Sequence, residues 1–176
     1  MGKKAANNSE DLSENAAVKN KKGSSLKLPD ETTSKSDAAL VERIRAFNRF
    51  YMPRMNLLGN HYLGSEYSAT EARVLFEIYE HDGCNAATIA KTMNIDKSYL
   101  SRIIAAHEKK GYLTKKPSKT DNRAFDLHLT SSGLKRSQEF ISMSNNNISE
   151  MVSQLNASEK AQLLEALDTL TSLLSK

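Results

Sequence analysis

Several of the usual markers of a secreted, membrane-bound or catalytic protein are missing from this sequence. Tryptophan is absent and cysteine occurs once, as Cys84. A single thiol cannot close an internal disulfide, so nothing argues for an oxidising compartment. No run approaches the ~18 apolar residues that a membrane helix requires. The opening residues carry lysines but no apolar stretch, so no signal peptide is predicted. Met1-Gly2 lacks the serine or threonine at position 6 that a myristoylation signal needs, since Ala6 stands there. The histidines at 61, 81, 107 and 128 are scattered, and no Ser/His/Asp arrangement, P-loop or glycine-rich fingerprint accompanies them. No catalysis and no cofactor are expected, and the cytoplasm is the expected location.

Aromatics are missing too from the first part of the chain, where Phe47 is the earliest. Residues 1–36 are mostly Lys, Asn, Ser, Glu, Asp, Thr and Ala. They hold too little apolar surface to offset the entropy of ordering, and a disordered polar tail is predicted. Its lysines from Lys19 to Lys22 fit a solvated tail or a contact with DNA backbone.

What the sequence does have is charge concentrated in one place. The net charge of +4 is the residue of unequal parts. Residues 91–136 hold eleven basic and four acidic side chains, whereas 37–90 and 137–176 are both mildly acidic. A strongly basic element on a near-neutral body suggests a polyanion as partner.

From Asp37 the apolar residues fall at helical spacing. Leu40, Ile44, Phe47 and Tyr51 share a face, with Pro53 expected to kink or end the helix. Ser68-Ala-Thr-Glu71 is a capping box that opens a helix with Val74, Leu75 and Ile78 inward, stopped by His81-Asp-Gly83. A short helix fits 86–93, Asn94-Ile95 forms a turn, and Asp96 caps a further helix over about 97–110. In that helix Leu100, Ile103, Ile104 and His107 cluster on one side. Ser98, Arg102, Ala105 and Lys109 lie opposite, flanked by Tyr99 and Ser101, with Lys97 in the first turn. That outer face holds small or hydrogen-bonding residues and cations, without a carboxylate, and suits phosphates and base edges.

Two strands follow, 113–116 and 125–129, joined by a turn-forming connector that carries Lys119, Asp121 and Arg123. Thr130 can cap the next helix, whose stripe is Ile141, Ile148, Val152 and Leu155. Asn145, Asn146 and Asn147 are expected to interrupt it. A last helix over about 158–174 carries Leu163, Leu164, Leu167, Leu170 and Leu174.

Two short helices joined by a tight turn, the second with a cationic outer face, followed by a basic hairpin, form the pattern of a winged helix-turn-helix. The fold class expected is mainly α (α+β), with a small β-hairpin wing and N- and C-terminal dimerisation helices. Arg102 fits guanine, whose O6 and N7 its fork can bond together. Ser98, Tyr99 and Ser101 suit bases or phosphates, while Lys97 and Lys109 suit phosphates. Arg123 on the wing can enter the narrow minor groove, and Lys119 adds charge beside it. Asp121 braces the loop or an arginine, or is a plain turn aspartate. His81 and Cys84 lack a second pair at ligand spacing, so no metal site is predicted, and Cys84 reads as structural.

The same residues resemble the MarR-type transcriptional regulators. The likeness rests on Asp96-Lys-Ser-Tyr-Leu-Ser-Arg102, Glu108-Lys-Lys-Gly111-Tyr-Leu, Asp121-Asn-Arg123 and Leu129-Thr-Ser-Ser-Gly133, and it extends over 37–176. It implies a core at 68–129 and dimerisation helices at 37–60 and 131–176. It also implies a homodimer that reads a pseudo-palindrome in double-stranded DNA, with no membrane partner. The leucine stripe agrees, since one small lobe cannot bury it. The resemblance further implies a small aromatic effector between the dimer helices and the DNA-binding lobe. Phe47, Phe50, Tyr51, Met55, His61 and Tyr62 are candidates to line its pocket, with ordinary core packing as the other reading. The segments from Ile44 to Tyr51 and from Leu63 to Arg73 look like MarR halves fused to acetyltransferases, for which a chain ending at Lys176 has no room. The function expected is a repressor. The alternatives are a module partnered with an acetyltransferase, its DNA binding vestigial, and a protein-interaction module.

Overall fold

A computed structural model describes residues 35–118 and 123–176. Lys119, Asp121 and the tail up to residue 34 lie outside the described residues. The chain divides into two units after Glu42. The described part of the first is the start of α1 (Lys35–Arg54), where Leu40 and Val41 are exposed. The rest of this account concerns the second unit, from Arg43 onward.

Local chemistry sets most element boundaries. Pro53 is the penultimate residue of α1, because its ring lacks the N–H and crowds the preceding turn. Asn56 then takes a left-handed conformation, and Leu57 N–H donates back to Met52 O, closing the helix end. A 3-10 turn at Tyr62–Gly64 leads to α2 (Ala69–Glu80), where both halves of the Ser68/Glu71 capping box form. Asn85 caps α3 (Ala86–Met93), and Asn94, left-handed at φ 49°, ends it. Asp96 accepts from Ser98 N–H and Tyr99 N–H to start α4 (Lys97–Lys109).

The wing is an antiparallel pair, β1 (Leu113–Pro117) and β2 (Phe125–Leu129), with Leu113 opposite Leu129 and Pro117 opposite Phe125. A third segment also pairs with β2. Gly83 N–H donates to Leu127 O and Leu127 N–H to Cys84 O, and Asn85 bridges Asp126. Thr130 caps α5 (Ser131–Met151), and Asn156 caps α6 (Ala157–Leu174) through a second capping box.

The expected break at Asn145, Asn146 and Asn147 does not occur, and α5 runs through all three. Asparagine costs a helix only about 0.7 kcal/mol per residue or less, which packing on either side outweighs. Asn147 also donates from its side chain to Arg54 O at 3.4 Å. The buried residues of this helix are Gly133, Ser137 and Phe140, so its inner face is phased one residue from the stripe begun at Ile141.

Two apolar clusters hold the second unit together. One joins Val74 and Ile78 of α2, Ile89 of α3, Leu100, Ile103 and Ile104 of α4, and Leu113 and Leu127 of the wing. The other joins Tyr67, Ala72, Leu75 and Phe140 and so fastens α2 to α5. By contrast, α6 buries none of its residues.

Gly133 is required by space. A Cβ there would lie 1.9 Å from Tyr112 O, so α5 could not approach the end of the helix-turn-helix. Gly133→Ala is expected to lower stability by about 1–3 kcal/mol, read as a fall in the urea midpoint without a change in slope.

Candidate nucleic-acid interface

The face of α4 foreseen from its sequence is present. Leu100, Ile103, Ile104 and His107 are buried, while Lys97, Ser98, Tyr99, Ser101, Arg102, Ala105 and Lys109 are exposed. Burying the three aliphatic side chains stabilises the seat of the helix by roughly 1.5–3 kcal/mol each. The capping aspartate stands at the start of the helix, and its carboxylate is occupied by two backbone N–H groups. The negative charge nearest the outer face is therefore already engaged in capping.

Among the described residues, some cations near this face are paired, and those on it are not. Arg73 bonds Glu77 at 2.6 Å, and Arg136 bonds Glu66 at 2.7 Å and Glu139 at 2.9 Å. Lys115 on the wing meets Glu108, an exposed carboxylate on the flank of α4, at 2.5 Å. No ion pair involving Lys97, Arg102 or Lys109 is found among the described residues. Arg102 instead lies over the Tyr99 ring, 5.7 Å from its centre. Cations that have no carboxylate to satisfy them keep their full attraction for phosphate.

The wing stands beside this helix, tied to it by the Lys115–Glu108 pair. Arg123 is exposed where the described part of the chain resumes before β2. Asp82 accepts from His128 Nδ1 at 2.9 Å, which braces β2 against the turn after α2. Sequence reasoning missed this link and the Glu108–Lys115 link, because both join residues on elements distant in sequence or facing.

The aromatic candidates for an effector pocket are not gathered in one place. Phe47 and Tyr51 stack on each other at 5.2 Å, and Phe50 lies under Arg54 at 3.9 Å, both on the exposed part of α1. Met55 is buried and His61 contacts Ser65 O through Nδ1. Of the six, Tyr62 alone lines the open-sided cavity of about 470 Å³ between α2 and α5. Its walls also include Leu57, Arg73, Phe76, Phe140 and Ser144, contributed by segments far apart in sequence. No local pattern could have assembled them.

Cys84 is half-buried and packs against the apolar cluster of the helix-turn-helix. Burial pushes its thiol up, and the carboxylates of Glu77, Asp82 and Asp126 act in the same direction. Among the described residues, no group of three or more His, Cys, Asp or Glu side chains could hold a metal ion, and no helix is long and apolar enough to cross a membrane.

Comparisons with known proteins bear on the same region. No curated protein sequence matches the chain. The apo form of MarR from E. coli shares its fold, with a TM-score of 0.62 and 20% identity over 74% of this chain and 96% of that one. A mutant MarR from E. coli complexed with operator DNA is similar at 0.62 and 22%, over 78% and 99%. So is FabT from Streptococcus pneumoniae in complex with DNA, at 0.60 and 19%, over 78% and 96%. Residues 67–125, from the start of α2 to the return strand of the wing, match the MarR family model. Fold and family model thus coincide on one segment: residues 67–125 are similar to the MarR family, within a fold that the chain shares with MarR structures.

Proposed function

We propose that this protein is a DNA-binding transcriptional regulator, acting as a dimer on a pseudo-palindromic operator and serving as a repressor. The observation that carries the reading is the cationic face of α4, where Lys97, Arg102 and Lys109 have no ion pair among the described residues, whereas Arg73 and Arg136 are neutralised at close range. Lys97, Ser98, Tyr99, Ser101 and Arg102 enter the major groove, which admits one helix. Lys109 and Lys119 meet phosphates, Asp121 braces the wing, and Arg123 enters the minor groove.

The dimer is supported by apolar surface that the unit leaves open. On α6, Leu164, Leu173 and Leu174 are 63%, 57% and 67% exposed, and on α1 Phe50 is 53% exposed. Leucines at this exposure along a whole helix need a partner, and two-fold pairing would set the recognition helices about one helical turn, roughly 34–36 Å, apart. The cavity between α2 and α5 suits a small aromatic effector, since its walls are apolar and Arg73 stands among them.

Arg102→Ala is expected to cost about 1–3 kcal/mol on a site selected from random DNA, and to relax preference at one base pair. Fluorescence anisotropy on selected and scrambled duplexes checks this, and equal losses on both contradict base reading. In sedimentation equilibrium at micromolar concentration the protein should be a dimer, and Leu167→Glu should shift it toward monomer. A small aromatic carboxylate should weaken operator binding by the wild type. It should have no such effect on Ser144→Phe, which fills the cavity.

A further inference from the structure

His107 is the one polar side chain on the buried side of α4, and nothing in DNA recognition uses it. It is 1% exposed. Its Nε2 lies 3.0 Å from Glu71 O, an acceptor, so Nε2 carries the proton and donates across from α4 to the first turn of α2. In the neutral ring the remaining nitrogen, Nδ1, holds a bare lone pair. That atom is buried and has no hydrogen-bond partner among the described residues.

The groups around the ring leave no place for a second proton. From α2, the Glu71 carboxylate is occupied by Ser68 N–H at 2.8 Å and Ser68 Oγ at 2.9 Å. From the segment before α2, the Tyr67 ring lies 5.8 Å away, and from the segment after α4, Tyr112 lies 6.1 Å away. Tyr67 OH donates to Tyr112 OH at 3.2 Å and accepts from Lys110 Nζ at 2.8 Å, so both phenols are engaged. Lys110 on α4 adds a positive charge, with its ammonium 4.1 Å from the Tyr67 ring centre. From α5, Arg136 approaches the same ring at 5.0 Å with its charge committed to Glu66 and Glu139, and Phe140 meets it edge-on at 5.5 Å. An imidazolium here would carry an N–H without an acceptor, and Lys110 would oppose its charge.

We propose that His107 makes the seating of the recognition helix sensitive to protons: the neutral ring fastens α4 to α2, and proton uptake releases α4 and, with it, DNA. The release from DNA rests on the function proposed above; the release of α4 does not. The direction of titration agrees. Burial holds the His107 imidazole below its ordinary range, with Lys110 adding to the effect and the Glu71 carbonyl and carboxylate opposing it. Because the seated form prefers the neutral ring, its contribution is complete above pH about 6.5 and is lost as pH falls below that. A freed imidazole of ordinary pKa is about nine-tenths protonated at pH 5.5, so one proton shifts the seating equilibrium by about tenfold there relative to pH 7.5.

The test uses the full chain and His107→Gln, whose side-chain amide still donates to Glu71 O and does not titrate. Nitrogen-detected NMR of the wild-type His107 ring should show the Nε2–H tautomer, titrating below the ordinary imidazole range. Anisotropy with a selected duplex at fixed ionic strength should show the wild type losing more affinity than His107→Gln between pH 7.5 and 5.5, by at most about tenfold. The thermal midpoint of the wild type should fall more steeply over the same range. Titration of His107 within or above the ordinary imidazole range overturns the proposal, as does the same pH dependence in both proteins. If His107→Gln does not fold, the ring titration in the wild type decides. If neither protein binds DNA at pH 7.5, the regulatory reading fails instead, and the ring titration and melting curves still decide the proton coupling.

Discussion

The whole arrangement depends on α4 being held by one side only. A helix that exposes its whole outer face is not enclosed, so its orientation has to come from a narrow buried stripe. Here that stripe is Leu100, Ile103, Ile104 and His107, gripped by α2, α3 and the wing. Because a helix turns every 3.6 residues, these four positions exhaust the inward face, and everything between them is free to carry recognition chemistry. Three of the four are held by dispersion and the hydrophobic effect, which have no direction. The fourth is held by a hydrogen bond, which fixes rotation as well as depth.

The electrostatics follow from the same division. The body uses its arginines structurally. Arg136 joins α5 to the segment before α2 through Glu66, and also covers the rings of Tyr67 and Phe140. Arg73 is matched within its own helix by Glu77. Such pairs hold neighbouring elements in register while cancelling their own field. The face of α4 carries the opposite choice, since its cations are left unmatched at a cost in self-repulsion that only a polyanion removes. The excess of basic residues over 91–136 is therefore concentrated on one helix and one hairpin, and the net charge of +4 conceals it.

How much of this the sequence disclosed depended on how local the cause was. The starts of α2, α3, α4, α5 and α6 are each fixed by a capping side chain within three residues, and three of those caps, Ser68, Asp96 and Thr130, are legible in the sequence. The face of α4 was legible because a single helix decides it. The phase of α5 was not, because its inner face opens with Gly133 and Ser137, which carry no apolar signal. Gly133 is small because the Tyr112 backbone passes close by, which a sequence pattern does not record. The cavity was missed for the related reason that its walls come from both ends of the second unit. Only the packing of Phe140 against Tyr67 brings them together.

Thr130 does more than cap a helix. Its hydroxyl donates to Gly111 O at 2.6 Å and accepts from Gly133 N–H at 3.1 Å, joining the end of α4 to the start of α5. Thr130 N–H donates to Tyr112 O as well. The chain that leaves at Gly111 and returns at Thr130 is thus pinned at its base. Leu113 and Leu127, near that base, belong to the core, whereas Lys116, Pro117 and Phe125 further out are exposed. The outer part of the wing can therefore change in reach and charge while the frame that presents α4 stays fixed.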